Sequence, residues 1–204
     1  AVDQFLNHLF VDKTGDKEQR MIFEEYLGYT LFCKDNRAKK MLICWGPANT
    51  GKSAMHDMVK YLLGYDNCAV LKLHQITDTN DKCMVQLVNK KADFDDDASS
   101  NMIKGSSMSH IKSMVNDKAQ IVVNPKFQQP FTSDIWVKFW VNTNVVIPTQ
   151  ETEEQWITRI MILNCSNVID RTVMNPADKD KLFTESAKAY LLLLAIAGYQ
   201  RLIK

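Results

Sequence analysis

The chain has 204 residues, 46% of them hydrophobic and 24% charged, enough for one domain of ordinary to large size with a real core. Seven Gly and five Pro exclude a collagen-like or disordered chain. Twenty-five Lys plus Arg against 24 Asp plus Glu leave a net charge of +1, which excludes binding nucleic acid through a generally basic surface; positive charge for such a partner has to be concentrated locally.

Val2 to Phe32 reads as helical. Phe5, Leu6, Leu9 and Phe10 recur at helical spacing, Gly15 interrupts, and Ile22, Phe23, Tyr26, Leu27 and Leu31 resume the pattern. A polar, basic link over Lys34–Lys40 leads to Met41-Leu42-Ile43-Cys44-Trp45, a continuous apolar run of the kind a strand buried on both faces shows. A helix is predicted over Lys52–Leu63, a strand at Ala69-Val70-Leu71 and a short helix over Cys83–Val88. Ala92-Asp93-Phe94 leads into an acidic cluster, and Ser109–Val115 reads as helix. Ile121-Val122-Val123, the turn Asn124-Pro125-Lys126 and a returning strand over Phe127–Phe131 predict a hairpin. Further β-runs follow at Ile135–Val141 and Ile160–Leu163. A last helix is announced by Asn175 as N-cap, Pro176 in the first position and Asp178 in the first turn. Its body, Ala187–Ile196, is apolar all round and is expected to be buried. Strands alternating with helices argue an α/β sandwich with helices at both ends. The division expected is a helical, oligomerising subdomain over residues 1–38 and a core over residues 39–204 that ends in the C-terminal helix.

The five cysteines are odd in number and form no CxxC pair, and the four histidines form no HxxxH pair. Neither a disulfide framework nor a zinc knuckle is expected. A reducing, intracellular setting is, as a soluble protein in the cytoplasm of a host cell. The longest apolar run, Tyr190–Ala197, is far short of the ~18 residues of a spanning helix. The chain begins at Ala1 rather than Met, which reads as a piece cut from a longer polypeptide.

Five motifs carry chemistry. Gly46-Pro47-Ala48-Asn49-Thr50-Gly51-Lys52-Ser53 is GxxxxGKS, placed after a buried strand and before a helix, the context a phosphate-binding P-loop needs. Backbone N–H groups converge on phosphate oxygens there, Lys52 reaches the β and γ phosphates, and the Ser53 hydroxyl can ligate Mg²⁺. ATP or a close relative is the expected ligand. Asp93-Phe94-Asp95-Asp96-Asp97 offers carboxylates for Mg²⁺ and for orienting the attacking water; strand alternation leaves the roles of Asp95, Asp96 and Asp97 open, against the alternative of a solvated acidic loop. Asn142-Thr143-Asn144 ends a β-run where a polar group can sense the γ-phosphate, although Asn also commonly ends strands. Lys126 and Phe127 at the hairpin tip suit a phosphate backbone with stacked bases, against a Phe that packs back onto the core. Arg159 in Trp156-Ile157-Thr158-Arg159-Ile160 is balanced between a finger reaching a neighbour's γ-phosphate and a surface salt bridge.

In this order the motifs resemble those of superfamily 3 helicases, and in particular the helicase part of phage and plasmid primase-helicases; viral large T antigen and parvoviral Rep helicases are more distant relatives. The resemblance runs from about Leu27 to Leu163. WGPANTGKS stands as Walker A, ADFDDD as Walker B, Ile111–Phe131 as the B′ segment with its DNA-binding hairpin, FWVNTN with a following Pro as motif C, and WITRI as the finger segment. It implies an AAA+-related P-loop NTPase core that assembles into a ring, usually a hexamer, with ATP between subunits. Lys126 and Phe127 would then line a pore around single-stranded DNA. The family's roles fall on Lys52, Asp96, Asp97, Asn144 and Arg159 for catalysis, and on Ser53, Asp95 and Asp96 for the metal. A primase or polymerase domain is expected on the same longer chain. The sequence departs from many relatives in having Asp where they use Glu in Walker B, and in offering one Arg in the finger segment. Two other readings are a P-loop phosphotransferase acting on small molecules, which would usually carry an Arg-rich lid not seen among Arg20, Arg37, Arg159, Arg171 and Arg201, and a nucleotide-gated DNA scaffold that does not unwind.

Overall fold

The computed structural model describes residues 1–11, 15–76, 81–99, 106–145, 157–169 and 176–204. The expected Asn175 cap, the Val146–Pro148 end of motif C and Trp156 lie outside the described residues. Two helices, α1 (Val2–Phe10) and α2 (Glu18–Phe32), flank the interruption expected at Gly15. Then come β1 (Met41–Trp45), α3 (Lys52–Leu63), β2 (Cys68–Ala69), α4 (Asp81–Met84), β3 (Ala92–Asp95) and α5 (Ser106–Met114). They are followed by β4 (Ala119–Val123), β5 (Phe131–Ile135), β6 (Lys138–Thr143), β7 (Ile160–Asn164), α6 (Pro176–Asp180) and α7 (Glu185–Leu202).

Five strands form one parallel sheet in the order β2-β3-β6-β1-β7, while β4 and β5 pair antiparallel as a separate hairpin. The β1 run is apolar throughout because it lies between β6 and β7 and both its faces are covered. Leu42 and Cys44 face one core with Met55, Met58, Phe94 and Trp140; Met41 and Ile43 face the other with Leu71, Ile111, Phe139 and Val141. Phe94 and Trp140 stack with ring centroids 6.0 Å apart. Residues 1–38 bury the apolar faces of α1 and α2 in the first of these cores. Their junction with the sheet is tied by Lys138, whose buried ammonium donates to the carbonyls of Cys33, Asp35 and Trp136 at 3.2, 2.8 and 2.6 Å.

Four elements differ from expectation, the first being the Ile135–Val141 run: Ile135 ends β5 and β6 begins only at Lys138. The β2 strand is Cys68–Ala69, because the Leu71 N–H leaves the ladder and donates to Asp93 Oδ1 at 2.7 Å. The hairpin's second strand begins at Phe131, not Phe127; Pro130 has no N–H for the ladder, so the tip spans residues 124–130. The last helix is two. α6 ends at Asp180, and α7 starts afresh at Thr184, whose Oγ1 accepts from the Ala187 N–H. Nor is the apolar body buried all round. Ala187, Leu191, Ala195 and Gly198 are buried, but Leu193 is 62% exposed and Leu192 and Ile196 are more than a third exposed. α7 lies at the edge of the fold, so one side only is covered. There it crosses α2 so closely that a Cβ at Gly198 would stand 2.2 Å from the Glu24 carbonyl oxygen.

Asp93 is buried on the β3 face opposite Phe94, and its Oδ2 has no partner among the described residues. Burial raises its pKa from 3.8 to about 8. The folded chain therefore keeps a proton that the unfolded chain releases near the ordinary carboxylate pKa. Between those two values stability falls as pH rises, by roughly 1 kcal/mol per pH unit. Asp93→Asn, the neutral isostere, is expected to remove this slope. Melting temperatures compared at about pH 5 and about pH 8 should show the variant gaining on the wild type as pH rises; a constant gap would refute the assignment.

Candidate functional site

Four connections leave the carboxyl ends of adjacent parallel strands and meet around one cavity. They are the loop after β1, the acidic turn after β3, the end of β6 and the segment after β7. A crevice at strand C-termini is where open α/β sheets bind ligands. The cavity is about 480 Å³ and is lined by Ala48, Asn49, Gly51, Lys52, Ser53, Ala54, Asp96, Asp97, Asn144 and Ile169.

The loop from Gly46 to Gly51 is fixed from both sides. The Gly46 N–H donates to the Thr143 carbonyl at 3.2 Å, and the Ile169 N–H donates to the Asn49 carbonyl at 2.8 Å. A Cβ at Gly46 would stand 2.1 Å from the Cys165 carbonyl oxygen, so only glycine fits. Gly51 has φ 105°, a left-handed conformation that lets the chain turn directly into α3. α3 starts without a side-chain cap, leaving its first-turn N–H groups to the cavity. The Lys52 ammonium donates to the Gly46 and Pro47 carbonyls, each at 2.7 Å. Burial pushes its pKa down.

The acidic cluster divides. Asp95 is buried on the Asp93 face of β3; it accepts from Lys72 Nζ at 2.9 Å and from the Leu73 N–H at 3.0 Å. Asp95, expected among the metal ligands, does not line the cavity: alternation turns it away from α3, and its oxygens hold the Lys72–Leu73 turn. Asp96 has the parity of Phe94 and reaches α3. Its Oδ1 accepts from His56 Nδ1 at 2.6 Å and its Oδ2 from Lys60 Nζ at 3.0 Å. Burial would raise the Asp96 pKa, but these partners outweigh it and hold the carboxyl at about 2. His56 is wholly buried, and burial pushes its pKa down against the pull of Asp96. Its Nε2 has no partner among the described residues, and the ring stands edge-on to Phe94 and Trp140. A neutral imidazole with the proton on Nδ1 fits this nest; Lys60 supplies the charge. Asn142, beside them, has Nδ2 3.0 Å from His56 Nδ1; with the Nδ1 proton given to Asp96, this amide donates to Asp96 Oδ1, at 3.5 Å. Asp97 is exposed in the cavity wall with Asn144.

His56 and Lys60 are site residues that the sequence reading missed; Asn142 was named within Asn142-Thr143-Asn144, but the role was given to Asn144. Two other groups lie away from the cavity. Lys126 and Phe127 are exposed at the hairpin tip, with Phe127 fully so. Arg159 stands just before β7, beside the start of β1, where its guanidinium donates to Asn116 Oδ1 at 2.6 Å. That is the opposite end of the sheet from the loop.

Among the described residues no set of three or more His, Cys, Asp and Glu side chains could hold a metal ion by itself, and no helix is long and apolar enough to cross a membrane. Residues 44–159 match the model of the "Family of unknown function (DUF5906)", and the chain belongs to that family. No curated protein matches. Among solved structures, two apo forms of the NrS-1 C-terminal region are similar, with TM-scores of 0.70 and identities of 18% and 19% over 95% of this chain. The chain spans only 44% and 45% of their length. A JCV helicase bound to a thiazolopyridine compound is similar with a TM-score of 0.52 and 12% identity, over 99% of this chain and 61% of that one. At these identities the likeness is one of fold: a helicase-like α/β core with a parallel central sheet flanked by helices.

Proposed function

We propose that this chain of the DUF5906 family is the ATPase core of a superfamily 3-type DNA helicase, a ring-forming motor that translocates on single-stranded DNA and unwinds duplex. The observation that carries the reading is the cavity itself. An uncapped helix start with Lys52 and Ser53 faces Asp96, Asp97 and Asn144 across one crevice at the carboxyl ends of the strands. Such a start attracts phosphate. The residues also fit Mg²⁺: it takes few protein ligands and completes its shell with water and phosphate oxygens, so Ser53 with one or two carboxylates suffices. Bound there, Mg²⁺ supplies charge neutralisation of the phosphates. Lys52 holds the β and γ phosphates, a carboxylate of the acidic turn accepts the proton of the attacking water, and Asn144 orients that water.

The phosphate cavity adjoins a second one of about 450 Å³, lined by Gln4, Phe5, His8, Ile169 and Lys181 among others. Ile169 borders both, and the Phe5 ring abuts Gly51. We assign this second cavity to the nucleobase. Phe5→Leu keeps the apolar packing and loses the π face. It is expected to weaken nucleotide affinity about tenfold, in line with base–aromatic stacking of about 1–3 kcal/mol, with kcat at saturating ATP retained. Titration with a fluorescent ATP analogue measures it; unchanged affinity would place the base elsewhere.

An exposed Phe127 beside Lys126 is a stacking and phosphate-contacting group, and repeating it around an axis concentrates charge that the single chain lacks. A primase or polymerase domain on a longer chain would supply the rest of a replication protein. The test is mass measurement and ATPase assay with and without single-stranded DNA. A ring that appears with nucleotide and DNA, and turnover that DNA stimulates, are expected. A monomer turning over ATP at its full rate without DNA would favour a phosphotransferase. Assembly and DNA retention without strand separation, in a longer chain as well, would favour a scaffold.

A further inference from the structure

Helix α3 carries Lys52 and Ser53 in its first turn and then, on the same side, His56 and Lys60. These two reach out of the helix to the acidic turn. His56 Nδ1 donates to Asp96 Oδ1 at 2.6 Å, and Lys60 Nζ donates to Asp96 Oδ2 at 3.0 Å. Both donors are buried, whereas Asp96 is partly open to the cavity. The Lys60 ammonium also lies 5.0 Å from the centre of the Phe94 ring, so its stem is fixed by the same aromatic nest that holds His56. Both Asp96 oxygens are thus engaged by this chain's own donors. Next to it, the exposed Asp97 carboxylate makes no hydrogen bond or ion pair with any described side chain.

We propose that His56 and Lys60 are positioning residues that lock the Asp96 carboxylate to the helix of the phosphate loop, leaving Asp97 as the carboxylate that meets water and ligand in the cavity. The two halves of the site are then set at a fixed distance by one rigid helix, rather than by the loops alone. Asp96 serves as the fixed end of the acidic turn, and Asp97 as its working end. This inference rests on the ATPase reading of the same cavity, and it extends that reading to two residues of α3.

Lys60→Met keeps the stem over Phe94 and removes the charge. His56→Leu removes the Nδ1 donor, and His56→Asn restores a donor near the same point. Steady-state ATPase and titration with a fluorescent ATP analogue, each with Mg²⁺, are the kinetic readouts. Expected are a fall in kcat on the order of 10–100-fold for Lys60→Met and His56→Leu, as for other supporting partners of site ligands, with KM and analogue affinity little changed. Substantial recovery is expected in His56→Asn, and a deeper loss of kcat in Asp97→Asn than in Asp96→Asn. A folded His56→Leu and Lys60→Met with wild-type kcat would overturn the proposal, as would no recovery in His56→Asn. Long-range ¹H–¹⁵N correlation spectra of the wild type give an answer without any turnover: His56 should be neutral and protonated on Nδ1, and Asp96→Asn should shift its signals. A proton on Nε2 instead would overturn the clamp even if the variants did not fold. A wild type that binds no nucleotide would refute the ATPase reading, while the spectra would still decide the clamp.

Discussion

Lys52→Ala is expected to lower ATP turnover on the order of 10²–10³-fold or more, the scale of losing one preorganised charge donor at a developing anion. The ammonium is held inside its own loop by the Gly46 and Pro47 carbonyls, with the Thr50 hydroxyl at 3.4 Å. It is therefore already aimed at the cavity and already stripped of most of its water. Exchanging those carbonyls for phosphate oxygens costs little reorganisation, which is what makes such a group effective. The fold is expected to tolerate the change. Gly46 stays hydrogen-bonded to Thr143 and packed on Cys165, and α3 keeps its apolar face of Met55, Met58 and Val59. Thermal melting should therefore move little while turnover collapses. Full turnover in Lys52→Ala would remove the ATPase reading altogether.

The part of this site built by glycines and a long apolar run was legible beforehand. Met41–Trp45 reads as a strand covered on both sides, and Gly46 and Gly51 bracket a loop no other residues would allow. The acidic turn was legible as a cluster but not residue by residue. The parity rule did contain the answer. Ala92 and Phe94 face α3, so Asp96 follows them and Asp95 does not, but using it requires knowing on which side α3 lies. His56 and Lys60 were overlooked because a lone His and a Lys in a helix look like solvent or core residues. Their signal was their spacing from Lys52 and Ser53 along one helical face. α7 failed differently. Its hydrophobicity says that it prefers cover, and says nothing about how many neighbours the fold provides. The hairpin was right in kind and wrong in length, since Pro130 delays the second strand to Phe131.

On the ring-ATPase reading proposed above, Arg159→Ala should fail as completely as Lys52→Ala, but for a reason that only a mixture exposes. Arg159 precedes β7 and its carbonyl caps the start of β1, accepting from the Met41 N–H at 2.8 Å. The Gly46–Gly51 loop leaves the other end of β1, five residues along, roughly 16 Å of strand. No rotamer brings the guanidinium to the cavity of its own chain. If it acts on ATP, it acts on a neighbour's, where a finger of this kind is worth about 10³–10⁵ in rate. Each single variant is then inactive for a different defect: Lys52→Ala spoils the pocket it owns, and Arg159→Ala spoils the pocket next door. Mixed in equal amounts and allowed to exchange, the two chains rebuild some intact pockets. Half of the pockets keep Lys52 and half of those face an intact Arg159, so recovery approaches about one quarter of wild-type turnover in a closed ring. A purely structural Arg159, holding Asn116 at the base of the hairpin, predicts otherwise. Its loss would lower melting temperature and activity in the same chain, and mixing would restore nothing. ATPase rates of the two variants alone and mixed, alongside their melting curves, separate these outcomes.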